Sequence, residues 1–136
     1  MKQTIIILSL LILSIGMVDA LCMPYAIAGQ VKYSDGRNAD GAIVTMTVTR
    51  TGDILTDIVG INGNAQYPGW YALDGGNTAH CTMLGDEIEI VAKVGKASGF
   101  TTIYQDNNGG RIVPTLIIPL AEPAKKIPAK KIIKRR

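Results

Sequence analysis

Histidine is almost absent from this 136-residue chain: His80 stands alone, with one tryptophan, one phenylalanine and two cysteines. One imidazole excludes the histidine clusters that hold catalytic zinc or iron. A Ser-His-Asp relay on His80 would have to recruit Asp74 and Ser98, and Ser98 has none of the strand-turn-helix context of a nucleophile elbow. The chain also lacks any Asn-x-Ser/Thr sequon, which argues against N-glycosylation. From Leu21 to Leu120 no stretch keeps helical period for ten residues. These absences predict a protein that is not an enzyme and carries neither cofactor nor metal.

Long apolar runs are scarce as well. Ile5 to Gly16 follows Lys2 and precedes Val18-Asp19-Ala20, with small residues at the −3 and −1 positions of a cleavage site after Ala20. The run falls short of the roughly 20 residues of a membrane span. Residues 1–20 are therefore expected to be a secretory signal peptide. Cys22 follows Leu21, whereas a lipid-anchor signal wants a small residue there. Ile112 to Leu120 is interrupted by Pro114 and Pro119, so no sortase-type anchor precedes the terminal charges. The expected location is secreted or cell-envelope.

The remaining 116 residues suffice for one domain with one core. Cys22 and Cys81 both survive cleavage and lie in an oxidising compartment by this reading, so a disulfide between them is expected.

Charge is divided sharply. Leu21 to Leu120 carries six Lys and Arg against nine Asp and Glu, net −3, and residues 121–136 carry seven against one, net +6. The tail writes Pro-Ala-Lys-Lys-Ile twice, at 123–127 and 128–132. Proline every five residues opposes a helix, so an extended or disordered tail is expected. Lys125, Lys126, Lys130, Lys131, Lys134, Arg135 and Arg136 then form an electrostatic tether for an anionic surface, lipid headgroups or acidic glycans. Extracellular nucleic acid fits the composition less well, given the export signal.

The body alternates with a period of two. "VTMTVT" sets Val44, Met46 and Val48 against three threonines, and "EIEIVAKV" sets Ile88, Ile90, Ala92 and Val94 against Glu87, Glu89 and Lys93. With 26–33, 54–59, 69–73, 99–104 and 111–118 this gives seven short strands, separated by turn signals such as Asp35-Gly36, Thr51-Gly52 and Gly85-Asp86. The pattern predicts an all-β, two-sheet sandwich over 21–120, of Ig-like or prealbumin-like kind. Pro114 and Pro119 make the last strand an edge strand or end it early, and an edge is a route to self-association.

"IAGQVKYSDGRNADGAIVTMT" resembles the opening of the carboxypeptidase regulatory-like domains. Asp35, Gly36, Ala39, Gly41, Ala42 and Val44 occupy the family's Asp-Gly-x-x-Ala-x-Gly-Ala-x-Val turn. Gly69 and Tyr71 match its Gly-x-Tyr, and Gly85-Asp86 its late Gly-Asp. "INGNAQYP" (61–68) departs from the pattern by its length. The resemblance implies a non-catalytic module of secreted or cell-surface proteins: spacer, structural unit or binding platform.

Three further features of the sequence invite a function. Asp35, Asn38 and Asp40 offer oxygen ligands for Ca²⁺, but the stretch lacks an EF-hand's spacing and bidentate Glu, and Asp-Gly is what a turn needs. Lys32 invites an isopeptide bond to the last strand, which contains no Asn or Asp. "YPGWY" gathers Tyr67, Trp70 and Tyr71. Alternation turns Tyr71 and Leu73 inward and leaves Trp70 and Tyr67 outward, as a surface for a glycan or protein partner or as a cap on the sandwich.

Overall fold

The computed structural model describes residues 22–120. The expected signal segment, 1–20, and the basic tail, 121–136, lie outside the described residues. Seven strands follow one another: β1 (Ala26–Tyr33), β2 (Ile43–Val48), β3 (Ile54–Ile58), β4 (Trp70–Asp74), β5 (Glu87–Val94), β6 (Ala97–Tyr104) and β7 (Gly110–Ile118). A single 3₁₀ turn, Gly75–Asn77, follows β4. The strands form a three-stranded sheet in the order β4-β1-β7 and a four-stranded sheet in the order β3-β2-β5-β6. This is the expected all-β two-sheet sandwich.

Each alternating pattern places its apolar set between the sheets. Val44, Met46 and Val48 of β2 and Ile88, Ile90 and Ala92 of β5 are fully buried, facing Ile27, Val31, Tyr71 and Ile118 from the other sheet. Burying each of the larger aliphatic side chains contributes about 1.5–3 kcal/mol. The β5–β6 hairpin closes on the two residues Gly95-Lys96, with Gly95 at φ +57°, the positive φ that a primed hairpin turn demands.

β1 and β7 run parallel, and the other ladders are antiparallel. β7 is an edge strand and ends before Pro119. Pro114 falls where the β1–β7 register slips between Gly29 and Val31, so its missing N–H takes no bond from a regular ladder.

The open sides of the sandwich are closed differently. Between β6 and β7, Gly99 lies against the Ile117 carbonyl, and a Cβ there would overlap it. Between β3 and β4 a side chain makes the join. Asp57, 7% exposed, accepts the N–H groups of Ile58 at 2.8 Å, Asn64 at 2.9 Å and Ala72 at 2.8 Å.

The Cys22–Cys81 disulfide is formed, with Cα atoms 5.2 Å apart. It ties the residues before β1 to the 75–86 segment. Asp74 reinforces that join by accepting from the N–H groups of Tyr25 and Gly76.

Candidate functional site

Strand direction sorts the charges between the two ends of the sandwich. The C-terminal ends of β1, β5 and β7 converge with the start of β6, and Tyr33, Arg37, Val94, Lys96, Ala97, Pro119 and Leu120 line one shallow groove there. That end carries Lys32, Arg37, Lys93 and Lys96 against Asp35, Asp40 and Asp57, four against three, net +1. The half nearer the disulfide carries Arg50 and Arg111 against Asp53, Asp74, Asp86, Glu87, Glu89 and Asp106, two against six, net −4.

The three carboxylates of the basic end are all engaged. Asp57 is buried on backbone donors, as above. Asp40 accepts the Gly69 N–H at 2.6 Å. Asp35 accepts from the Arg37 side chain at 2.7 Å and the Arg37 backbone N–H at 3.1 Å, and these bonds hold its carboxyl below the usual range. Arg37 also lies 5.7 Å from the centre of the Tyr33 ring. Lys32, Lys93 and Lys96 make no ion pair among the described residues. Leu120, from which the chain continues into the basic tail, is at this same end, its N–H on the Ser34 hydroxyl at 3.2 Å.

Tyr67 and Trp70 share that end. Gly69 at φ +77° turns the chain between them, and a Cβ there would meet the Asn38 side chain at 2.6 Å. Tyr71 and Leu73 face the core as alternation predicts, and Tyr67 is 64% exposed. Trp70 is half-buried on the outer face of the three-stranded sheet, opposite Gln30. The 59–69 loop that sets them is organised by a Gly60–Tyr67 bridge and by Asp57, whose carboxylate fixes Asn64.

The other expected groupings separate. His80 Nδ1 is 2.9 Å from Asp53 Oδ1, and Asp53 also accepts the His80 N–H at 2.9 Å. Asp74 is occupied at the 3₁₀ turn, and Ser98 pairs with Lys93 at the opposite end, so these residues form no relay with His80. Asp35 is taken up by Arg37 and Asp40 by the Gly69 N–H. No group of three or more His, Cys, Asp or Glu among the described residues is placed to hold a metal ion. The β7 strand brings no Asn or Asp to Lys32.

A groove of about 550 Å³ lies at the disulfide end, with Met23, Met83 and Leu84 exposed on its rim. Below it Arg50 donates two bonds to Asp86, at 2.7 and 2.9 Å, and one to the Cys81 carbonyl at 3.1 Å. The Arg50 hydrogen bonds keep the Asp86 carboxyl below its usual range.

Sequence reasoning missed Asp57 and the gathering of lysines at one end. Asp57 had a signal: it occupies an inward position between Leu55 and Val59 in a period-two strand, where a carboxylate must find donors. The lysines had none, because 32, 93 and 96 meet only through strand order. Neither a protein-family model nor a curated protein matches this chain.

Proposed function

We propose that this chain is a non-enzymatic, secreted or envelope-attached β-sandwich module of structural or spacer role, held on an anionic surface by its basic end. The tether combines Lys125, Lys126, Lys130, Lys131, Lys134, Arg135 and Arg136 with Lys32, Lys93 and Lys96 of the body. The observation that carries the reading is the placement of those three lysines, without ion-pair partners among the described residues, at the end where Leu120 leads into the tail. The resemblance to carboxypeptidase regulatory-like domains points to the same class of module.

Magnitudes favour an end-on attitude. Each cation near an anionic surface contributes about 1 kcal/mol, and the potential decays over about 10 Å at 0.1 M salt. An eight-residue strand such as β1 spans roughly 26 Å at ~3.3 Å per residue. With the basic end down, the net −4 half begins about one screening length from the surface, with Glu89 about 13 Å from Lys93, and extends beyond two, so its repulsion is weakened.

The test is binding to anionic lipid vesicles and to an acidic glycan across a salt series. The intact protein should bind at low salt and release as salt rises. Truncation after Leu120 should abolish most binding, and Lys32→Glu/Lys93→Glu/Lys96→Glu should weaken what remains. Equal binding by the truncated and intact proteins would sink the tether.

Exposure of Tyr67 beside Trp70 favours a second reading, a binding or adhesion module taking a glycan or protein partner on that surface. Its mark would be a change in Trp70 fluorescence on ligand addition that is lost in Tyr67→Ala.

A further inference from the structure

The outer face of the four-stranded sheet is unusually apolar for a surface turned to solvent. Phe100 is 74% exposed, Ile54 61%, Ile43 54% and Ile58 44%. The registers arrange this face in three four-strand rows, with the Glu87–Tyr104 pair beyond them. The central row is Thr56–Thr45–Val91–Phe100. Toward the hairpin tip lies Ile58–Ile43–Lys93–Ser98, and on the other side Ile54–Thr47–Glu89–Thr102.

We infer that this face receives a second copy of the same chain about a two-fold axis lying along the central row. The rotation exchanges the two flanking rows. Lys93 then meets Glu89 of the copy, Ile58 meets Ile54, Ser98 meets Thr102, and Phe100 and Val91 each meet themselves. Glu87, four residues from Val91, comes opposite the Gly95-Lys96 hairpin tip. Lys93 and Glu89 thus find their opposites, and Phe100, Val91, Ile54 and Ile58 meet apolar partners, while Ile43 meets Thr47. An axis parallel to the strands would leave Lys93 level with Lys93 and Glu89 level with Glu89. Charge complementarity therefore selects both the partner, a second copy, and its orientation.

The geometry tolerates sheet twist. Aligned sheets cross at about 30°, and two residues along a strand are about 7 Å, so Lys93 and Glu89 are displaced sideways by only about 3 Å. The face offers a footprint of roughly 400 Å², below the ~800 Å² per partner of a standard interface. The dimer is accordingly weak and reversible, and its two copies run antiparallel.

The test is analytical ultracentrifugation of the purified protein from micromolar to millimolar concentration. A concentration-dependent dimer is expected. Lys93→Glu and Glu89→Lys should each weaken it roughly tenfold or more, because each creates like-charge pairs across the axis. Mixing the two single variants should restore association, since each then faces the opposite charges, and so should the double swap in one chain. Phe100→Asp should abolish it. All three residues are exposed, so thermal melts should stay near that of the parent and the restored mixtures control for folding. A parent that remains monomeric to millimolar concentration overturns the inference. So does a dimer indifferent to the Lys93 and Glu89 reversals, which would place association elsewhere, such as the β7 edge.

Discussion

Asp57 Oδ2 accepts the backbone N–H of Ala72 at 2.8 Å, reaching from the edge of one sheet to the edge of the other. Its second oxygen accepts from Ile58 and Asn64, so one buried carboxylate fixes β3, the 59–69 loop and β4. Gly63 is obligatory beside it, because a Cβ there would overlap the Ile58 carbonyl. Asp57→Ala would leave backbone donors buried without acceptors, at about 1–3 kcal/mol each and not additively. A loss of about 3 kcal/mol or more in chemical denaturation is expected, with Asp57→Asn recovering part of it.

Tyr71 behaves oppositely. Its hydroxyl is buried with no hydrogen-bond partner among the described residues, and burial raises its pKa far above that of a free phenol. Tyr71→Phe should therefore leave stability within about 0.5 kcal/mol of the parent or raise it. Gly29→Ala should cost about 1–3 kcal/mol, because the new Cβ would come within 2.9 Å of the Tyr71 ring. Paired melts of the two variants distinguish a hydroxyl with no structural role from a ring that has one.

The disulfide closes a loop of sequence separation 59. In the chain-entropy model this contributes about 4 kcal/mol. Cys22→Ser should lower the melting temperature by more than about 5 °C. Under non-reducing conditions the intact mass should be two hydrogens below that of the reduced protein.

Acid should unfold the sandwich through its carboxylates. Hydrogen bonds from Arg50 lower the pKa of Asp86, and hydrogen bonds from His80 lower that of Asp53. A carboxyl depressed in the folded state contributes stability above its unfolded value, near ~3.9, and loses it as pH falls through the folded value. Stability should thus decline below about pH 4. Arg50→Gln should move the midpoint of acid unfolding, followed by circular dichroism, to higher pH. A midpoint unmoved by this change would show that the Arg50–Asp86 pair contributes nothing to acid stability.

Much of this molecule was legible along the chain, because strand alternation is a local property. The period of two in 44–49 and 87–94 determined both the strands and their buried faces, and β-branched residues with turn glycines bounded the rest within a residue or two. A single pair of cysteines left one intramolecular disulfide to form. The outward placing of Trp70 also followed from alternation, whereas its half-burial, which depends on the neighbouring strand, and the exposure of Tyr67, in the loop before β4, did not. Tertiary structure alone decided that β1 runs parallel to β7, that Asp57 spans the join between sheets, and that Lys32, Lys93 and Lys96 gather where the tail begins. Each of these arises from pairing between residues distant in sequence. Such pairing is set by how two amphipathic sheets bury their apolar faces together, and no local pattern records it.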